Sequence, residues 1–298
     1  MPALASIPTI LDVDVIRGVS ATGAALDLVI EIPHGATRTE DFTSLAARLT
    51  SPLPDNLVDF FHVNTDAGAP ELAIATARRF VEAEPTRAVA ILRCRIPRTF
   101  IDCNRRVDAS PEDFKAGKVS PGLMPWITER ADRALLRAAY DLYTKAVKAA
   151  TLQLATDGAM VLLHTYAPRT VDVEVDLQIV ESLRAAYQPE TVERWPMRPE
   201  LDVIGKGLDG TSFAPAAVVD ALREALGDLT LADSATYPLH SSTMAWDHVM
   251  AHPGRTLCLE VRRDLLADPF EPFAQMTISQ AKVERIAVPL ATALRRWW

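Results

Sequence analysis

Two histidines stand where short apolar runs stop. Residues Leu26–Ile32 lead into Pro33-His34-Gly35, and residues 159–163 lead into His164-Thr165. An imidazole at a strand tip, beside a glycine that opens space, is placed as a metal ligand or a catalytic base. Its alternative role is to cap a loop by hydrogen bonding. The two histidines lie 130 residues apart, but the ends of neighbouring strands can bring such residues together. Zinc accepts imidazole nitrogens at about 2.0–2.1 Å. The remaining histidines, His62, His240, His248 and His252, sit in loop-like or helical surroundings and are expected to be structural or supporting.

Two other features carry chemistry. Between Arg93 and Arg106 the chain places five arginines in fourteen residues, interleaved with Ile96, Phe100 and Ile101. Guanidinium groups bind carboxylates in a two-point fork, so a small anionic substrate is the natural partner of such a segment. The apolar residues between the charges predict partial burial, and a buried arginine needs a counter-charge, for which Asp102 is at hand. The second feature is Glu260, a lone carboxylate inside the apolar run of residues 256–261. Burial favours its neutral form and moves its pKa toward that of a general base at neutral pH. Pairing with Arg262 or Arg263, or exposure on an edge strand, is the competing reading.

These residues need a scaffold that gathers strand ends. Leu26–Ile32, Ala88–Cys94 and residues 159–163 and 256–261 are short, continuous apolar runs, as expected of strands covered on both faces. Helical patterns lie between them: residues 71–83, a long Ala/Leu-rich stretch over 127–155 closed by Asp157-Gly158, and an amphipathic segment over 279–298. Alternating strands and helices predict an α/β class, with residues 1–298 as a single domain. In such sheets ligands bind beyond the carboxyl ends of the strands.

The chain has 298 residues, 49% hydrophobic and 23% charged, which is enough for a sizeable core and excludes general disorder. A net charge of -8 with no long basic run argues against nucleic acid as a partner. No apolar run is long enough for a membrane-spanning helix, and the first twenty residues lack the basic start of a secretory signal. Three cysteines without a CxxC spacing argue against a disulfide framework. The expectation is a cytoplasmic protein, with homo-oligomerisation left open.

Taken in order, Pro33-His34-Gly35, Thr65-Asp66, Arg98 through Asp102-Cys103-Asn104-Arg105, His164 and Leu259-Glu260-Val261 resemble the N-formylglutamate amidohydrolase family. Its relatives are the zinc carboxypeptidases and the aspartoacylase/succinylglutamate desuccinylase deacylases. The resemblance implies a mixed, twisted sheet flanked by helices, of the zinc carboxypeptidase/phosphorylase-hydrolase type. It also implies a zinc-dependent hydrolase acting on the amide of an N-acyl amino acid. On that basis His34, His164 and Asp66 become the zinc ligands and Glu260 the general base. Arg98 lies nearest the carbonyl oxygen. Asn104 and Arg105 hold the substrate carboxylate, with Asp102 in the same clamp to orient the arginines. The third residue after His34 is Thr37, so a His-x-x-Glu metal motif is missing; Glu40 is the reserve for Asp66. Arg169, in Thr-Tyr-Ala-Pro-Arg, is a further candidate for a substrate carboxylate. Ser120-Pro121-Gly122-Leu123 is expected to form a pocket loop. Competing readings are a carboxypeptidase-like or larger-acyl deacylase on the same metal site, or a non-catalytic carboxylate-binding protein.

Overall fold

The computed structural model describes residues 4–298, so the reading of the extreme N-terminus falls partly outside it. The first half of the chain forms β1 (Leu11–Arg17), β2 (Leu26–Ile32), α1 (Thr39–Ala46), α2 (Leu57–Asn64), α3 (Ala69–Ala83), β3 (Ala88–Cys94), α4 (Pro111–Ala116) and α5 (Arg130–Thr151). The second half forms β4 (Leu154–Tyr166), α6 (Ile179–Ala186), α7 (Pro189–Val192), β5 (Leu201–Val203) and α8 (Ala216–Ala225). It continues with β6 (Leu231–Asp233), α9 (Met244–Ala251), β7 (Thr256–Arg262) and α10 (Gln280–Leu294). No described helix is long and apolar enough to cross a membrane.

The strands form one seven-stranded sheet in the order β1-β3-β2-β4-β7-β5-β6. Its centre, β3-β2-β4-β7, is parallel, while β1 and β5 run antiparallel to their inner neighbours. The expected mixed α/β sheet between helices is therefore present. The strands are mostly apolar because both faces are covered. On one face Leu28, Ile30, Ile32, Val161, Leu163 and Leu259 pack with residues of α3, α8 and α10. On the other, Val29, Leu162 and Cys258 pack with Leu136, Tyr140 and Tyr143 of α5. Because side chains alternate along a strand, His164 and Glu260 fall on the α5 face with Leu162 and Cys258.

One expectation needs correction. The long helix ends at Thr151, not near Asp157-Gly158, and the following residues already belong to β4. Leu26 pairs with Leu154 but Leu28 with Ala159, so β4 carries extra residues in a bulge there. A Cβ at Gly158 would meet the Ala155 carbonyl oxygen and the Leu154 side chain at 2.9 Å, so the fold-back needs glycine. The Asp-Gly pair, a turn signal in sequence, lies inside a strand.

Chain order puts the functional end of the sheet in one place. The connection from β2 runs to β3 on one side, and the next parallel strand, β4, lies on the other side of β2. The carboxyl ends of β2 and β4 therefore border the point where the winding reverses, which in open α/β sheets is where ligands bind.

Candidate active site

His34 follows β2 and His164 lies near the end of β4, one on each side of that reversal. Asp66 comes from the turn between α2 and α3. The three side chains converge: His34 Nδ1 and His164 Nδ1 are 3.2 Å apart, and Asp66 Oδ2 lies 3.3 Å from the first and 2.9 Å from the second. All three residues are buried. Ligands about 2.1 Å from a tetrahedral ion stand about 3.4 Å apart, so the donor set and its spacing fit a divalent metal. The cluster can hold a metal ion. Glu40, the reserve ligand, is exposed on α1 and takes no part in it.

The backbone around these residues is built for close approach. A Cβ at Gly35 would lie 2.7 Å from Arg93 Cγ and 3.0 Å from the Cys94 carbonyl oxygen, so only glycine lets the His34 loop sit against β3. Arg93 Nε donates to the Gly35 carbonyl at 2.7 Å. The Thr65 hydroxyl donates to the Ala36 carbonyl and the Thr165 hydroxyl to the Ala67 carbonyl, bracing the Asp66 turn from both sides.

Asp102 is the hub of the arginine segment, with no exposed surface. Its Oδ1 accepts from His34 Nε2 at 2.8 Å and from the Asn104 backbone N–H at 2.8 Å. Its Oδ2 lies 3.0 Å from Arg98 Nη2 and 3.6 Å from Arg105 Nη2. Because His34 Nε2 faces a carboxylate, that nitrogen carries the proton and Nδ1 keeps its lone pair for the cluster. Burial alone would raise the Asp102 carboxyl, but Arg105, His34 and Arg98 hold it well below the usual carboxylate range. Burial opposes ionisation of Asp66 too, yet His34 and His164 keep it below the usual range.

Of the five arginines, only Arg98 and Arg105 reach the pocket. Arg93 and Arg95 pair with Asp41 and Asp12, and Arg106 pairs with Asp247. The pocket holds about 280 Å³. The cluster, Arg98, Asn104, Arg105 and Glu260 all line it. Asp102 does not line the pocket; it orients residues that do. Arg169 lines it, but its guanidinium is held by the Glu193 carboxylate and by the Trp195 carbonyl at 2.8 Å. From the expected pocket loop only Ser120 contributes; the Gly122 carbonyl instead accepts from the Asp102 N–H at 2.7 Å.

Glu260 stands directly across from His164 in the β4–β7 register. The competing pairings do not occur. Arg262 binds Asp264 and Glu200, and Arg263 points to Asp66 Oδ1 at 3.9 Å. Glu260 Oε2 has no hydrogen-bond partner, and burial, reinforced by Asp66, pushes its carboxyl up to about 7 against the pull of His164. A carboxyl with that value exchanges protons readily at neutral pH.

His62, His240, His248 and His252 stay outside the cluster; His248 pairs with buried Glu31 at 3.2 Å. The cysteines are free and buried. Sequence reasoning missed Arg198 and Tyr237, both of which line the pocket. Arg198 sits in a proline-rich stretch with no periodic signal, and only the arginine itself could have drawn notice.

No family model matches the chain, and no curated protein matches it in sequence. Solved structures do match it. The chain is similar to N-formylglutamate amidohydrolase from Ralstonia eutropha JMP134, with a TM-score of 0.53 and 18% identity over 97% of this chain and 99% of that one. It is also similar to a gene product of Agrobacterium tumefaciens, with a TM-score of 0.51 and 16% identity over 97% of this chain and 94% of that one. The chain thus has the fold seen in N-formylglutamate amidohydrolase, over nearly its whole length.

Proposed function

We propose that this protein is a zinc-dependent hydrolase that cleaves the amide bond of a small anionic N-acyl amino acid, of the N-formylglutamate type. The observation that carries the reading is the convergence of His34 Nδ1, His164 Nδ1 and Asp66 Oδ2 beside a Glu260 carboxyl without a hydrogen-bond partner on Oε2. The fold likeness to an N-formylglutamate amidohydrolase supports the same class. A zinc ion held by these three residues would supply a Lewis acid for the scissile carbonyl and would acidify a water molecule.

The chain's own residues do the rest. Glu260 takes a proton from the attacking water and delivers it to the nitrogen of the leaving amine as the C–N bond breaks. Arg98, fixed by Asp102, meets the oxygen on which negative charge develops. Asn104 and Arg105 hold the carboxylate of the amino-acid half, so the amide is presented in a fixed orientation. Asp102 keeps both guanidiniums aimed and is itself shielded from substrate. A cytoplasmic setting fits three free, buried cysteines.

The test is turnover of N-formyl and N-acetyl amino acids by the zinc-loaded protein, compared with two variants. Arg105→Lys keeps the charge but loses the fork, so KM should rise about tenfold or more. Arg98→Ala removes an oxyanion donor and should lower kcat by about 10²–10³ with a smaller change in KM. Unchanged kinetics in both variants would remove the clamp from the mechanism. A zinc-loaded wild type that hydrolyses no N-acyl amino acid would remove the reading itself.

A further inference from the structure

The lining of the pocket is not all polar. Phe60, Val171, Val173, Val175, Ile179 and Leu183 line it together with the charged residues. The three valines come from Thr170-Val171-Asp172-Val173-Glu174-Val175, in which apolar and acidic residues alternate with a period of two. Such alternation marks a strand with one face covered. Here the segment belongs to no strand, and among the described residues the backbone from Val171 to Val175 has no hydrogen-bond partner. The alternation still sorts the side chains: the valines are half-buried, and Asp172 and Glu174 are exposed. The valines pack on the hydrophobic core that contains Phe60, Ile179 and Leu183. Apolar surface that the core leaves uncovered is presented to the pocket.

The chemistry assigned to the pocket leaves this surface unused. The metal cluster, Glu260, Arg98 and Arg105 act on an amide and a carboxylate, whereas a formyl group brings one carbon and a glutamate side chain ends in a charge. The cavity of about 280 Å³ lies near the lower end of the range for drug-sized ligands, well above what a formyl group needs. We propose that the substrate carries, besides its carboxylate, an apolar chain of several carbons that seats on Val171, Val173 and Val175. The proposal deepens the reading of this pocket as the substrate site of an N-acyl amino acid hydrolase, and it rests on that reading. The three valines then determine specificity, because they touch a part of the substrate that does not react, and each methylene taken out of water there strengthens binding. The chain has two possible sources, the acyl half or the side chain of the amino-acid half. Both offer the same apolar surface to the valines.

Two series separate the sources. In one, glutamate is kept while its acyl group lengthens from acetyl through propionyl and butyryl to pentanoyl. In the other, the formyl group is kept while the amino acid lengthens from alanine through 2-aminobutyrate and norvaline to norleucine. Dissociation constants are measured by calorimetry on zinc-loaded Glu260→Gln protein, where turnover does not interfere, and kcat/KM is measured on wild type. In one series affinity should rise about three- to fourfold per methylene, or about 30- to 60-fold from the first compound to the last. The series that steepens identifies the half that carries the chain. Val173→Thr keeps the shape of the side chain but adds a hydroxyl, so it should reduce the gain per methylene. Val173→Phe fills the space above the segment and should abolish the gain for the longest compounds. Flat affinity along both series, or variant effects of equal size on every compound, would overturn the proposal. If wild type hydrolyses none of the compounds while the Val173-dependent gain persists in binding, the apolar subsite stands and the hydrolase reading falls.

Discussion

Glu260→Gln protein is expected to load zinc and bind substrate as wild type does while its turnover falls by about 10²–10⁴. Glutamine keeps the size of the side chain and its place opposite His164, but it cannot accept and return a proton. The same variant has a second signature, in stability. With a folded value of about 7 against an ordinary value of 4.5, the native state holds an extra proton on this carboxyl between those limits. Burying Glu260 therefore costs nothing well below pH 4.5 and costs progressively more up to about pH 7. Glutamine removes that cost. In metal-free protein the Tm of the variant minus that of wild type should rise between pH 5 and pH 8, by about 2–4 °C. A glutamate that merely neutralised an arginine would give the opposite sign, with the variant losing stability at pH 8 and kcat left nearly intact. Measuring kcat and Tm on one preparation at both pH values distinguishes the two roles.

Asp102→Asn should damage both the fold and the metal site. The substitution removes the negative charge facing Arg98 and Arg105 and replaces one accepting oxygen by a donor. Breaking one side of a buried ion pair typically costs about 3–5 kcal/mol, because the partner charge stays buried without compensation. Here Arg98 and Arg105 border the pocket, which relieves part of that, so a loss of about 2–4 kcal/mol in urea denaturation is expected. The His34 ring also loses the acceptor that fixes its tautomer, which should weaken metal binding by about 10–100-fold. Competition with a chelating dye measures that affinity. An Asp102→Asn protein with wild-type stability and wild-type metal affinity would show that the hydrogen bond to His34 and the two arginine contacts carry no weight.

Much of the site was legible because strand ends are readable. The runs before His34 and His164 are largely apolar, and these appear as central parallel strands. Glu260 was visible for the converse reason, as a carboxylate in an apolar strand. What could not be read was adjacency across the sheet. That β2 and β4 are neighbours, with β3 on the far side of β2, depends on the whole topology, and no local pattern encodes it. Strand β5 and the edge strand β6 span three residues each, too short for any periodicity to register. Within the arginine cluster, composition alone could not separate Arg98 and Arg105 from Arg93, Arg95 and Arg106. The latter three find their carboxylates in Asp12, Asp41 and Asp247, residues distant in sequence. Arg198 escaped notice because its place in the pocket exists only in three dimensions.

The most direct measurement is elemental analysis of purified protein alongside hydrolysis of an N-acyl amino acid, for wild type, His34→Ala and His164→Ala. Wild type should carry about one zinc per chain, lose turnover on chelation and regain it when zinc is returned. Each alanine variant should fold, hold little zinc and fail to recover turnover at zinc concentrations that restore wild type. Wild-type protein that turns over normally without metal, or either variant retaining zinc at wild-type affinity, would contradict a metal centre built from His34, Asp66 and His164.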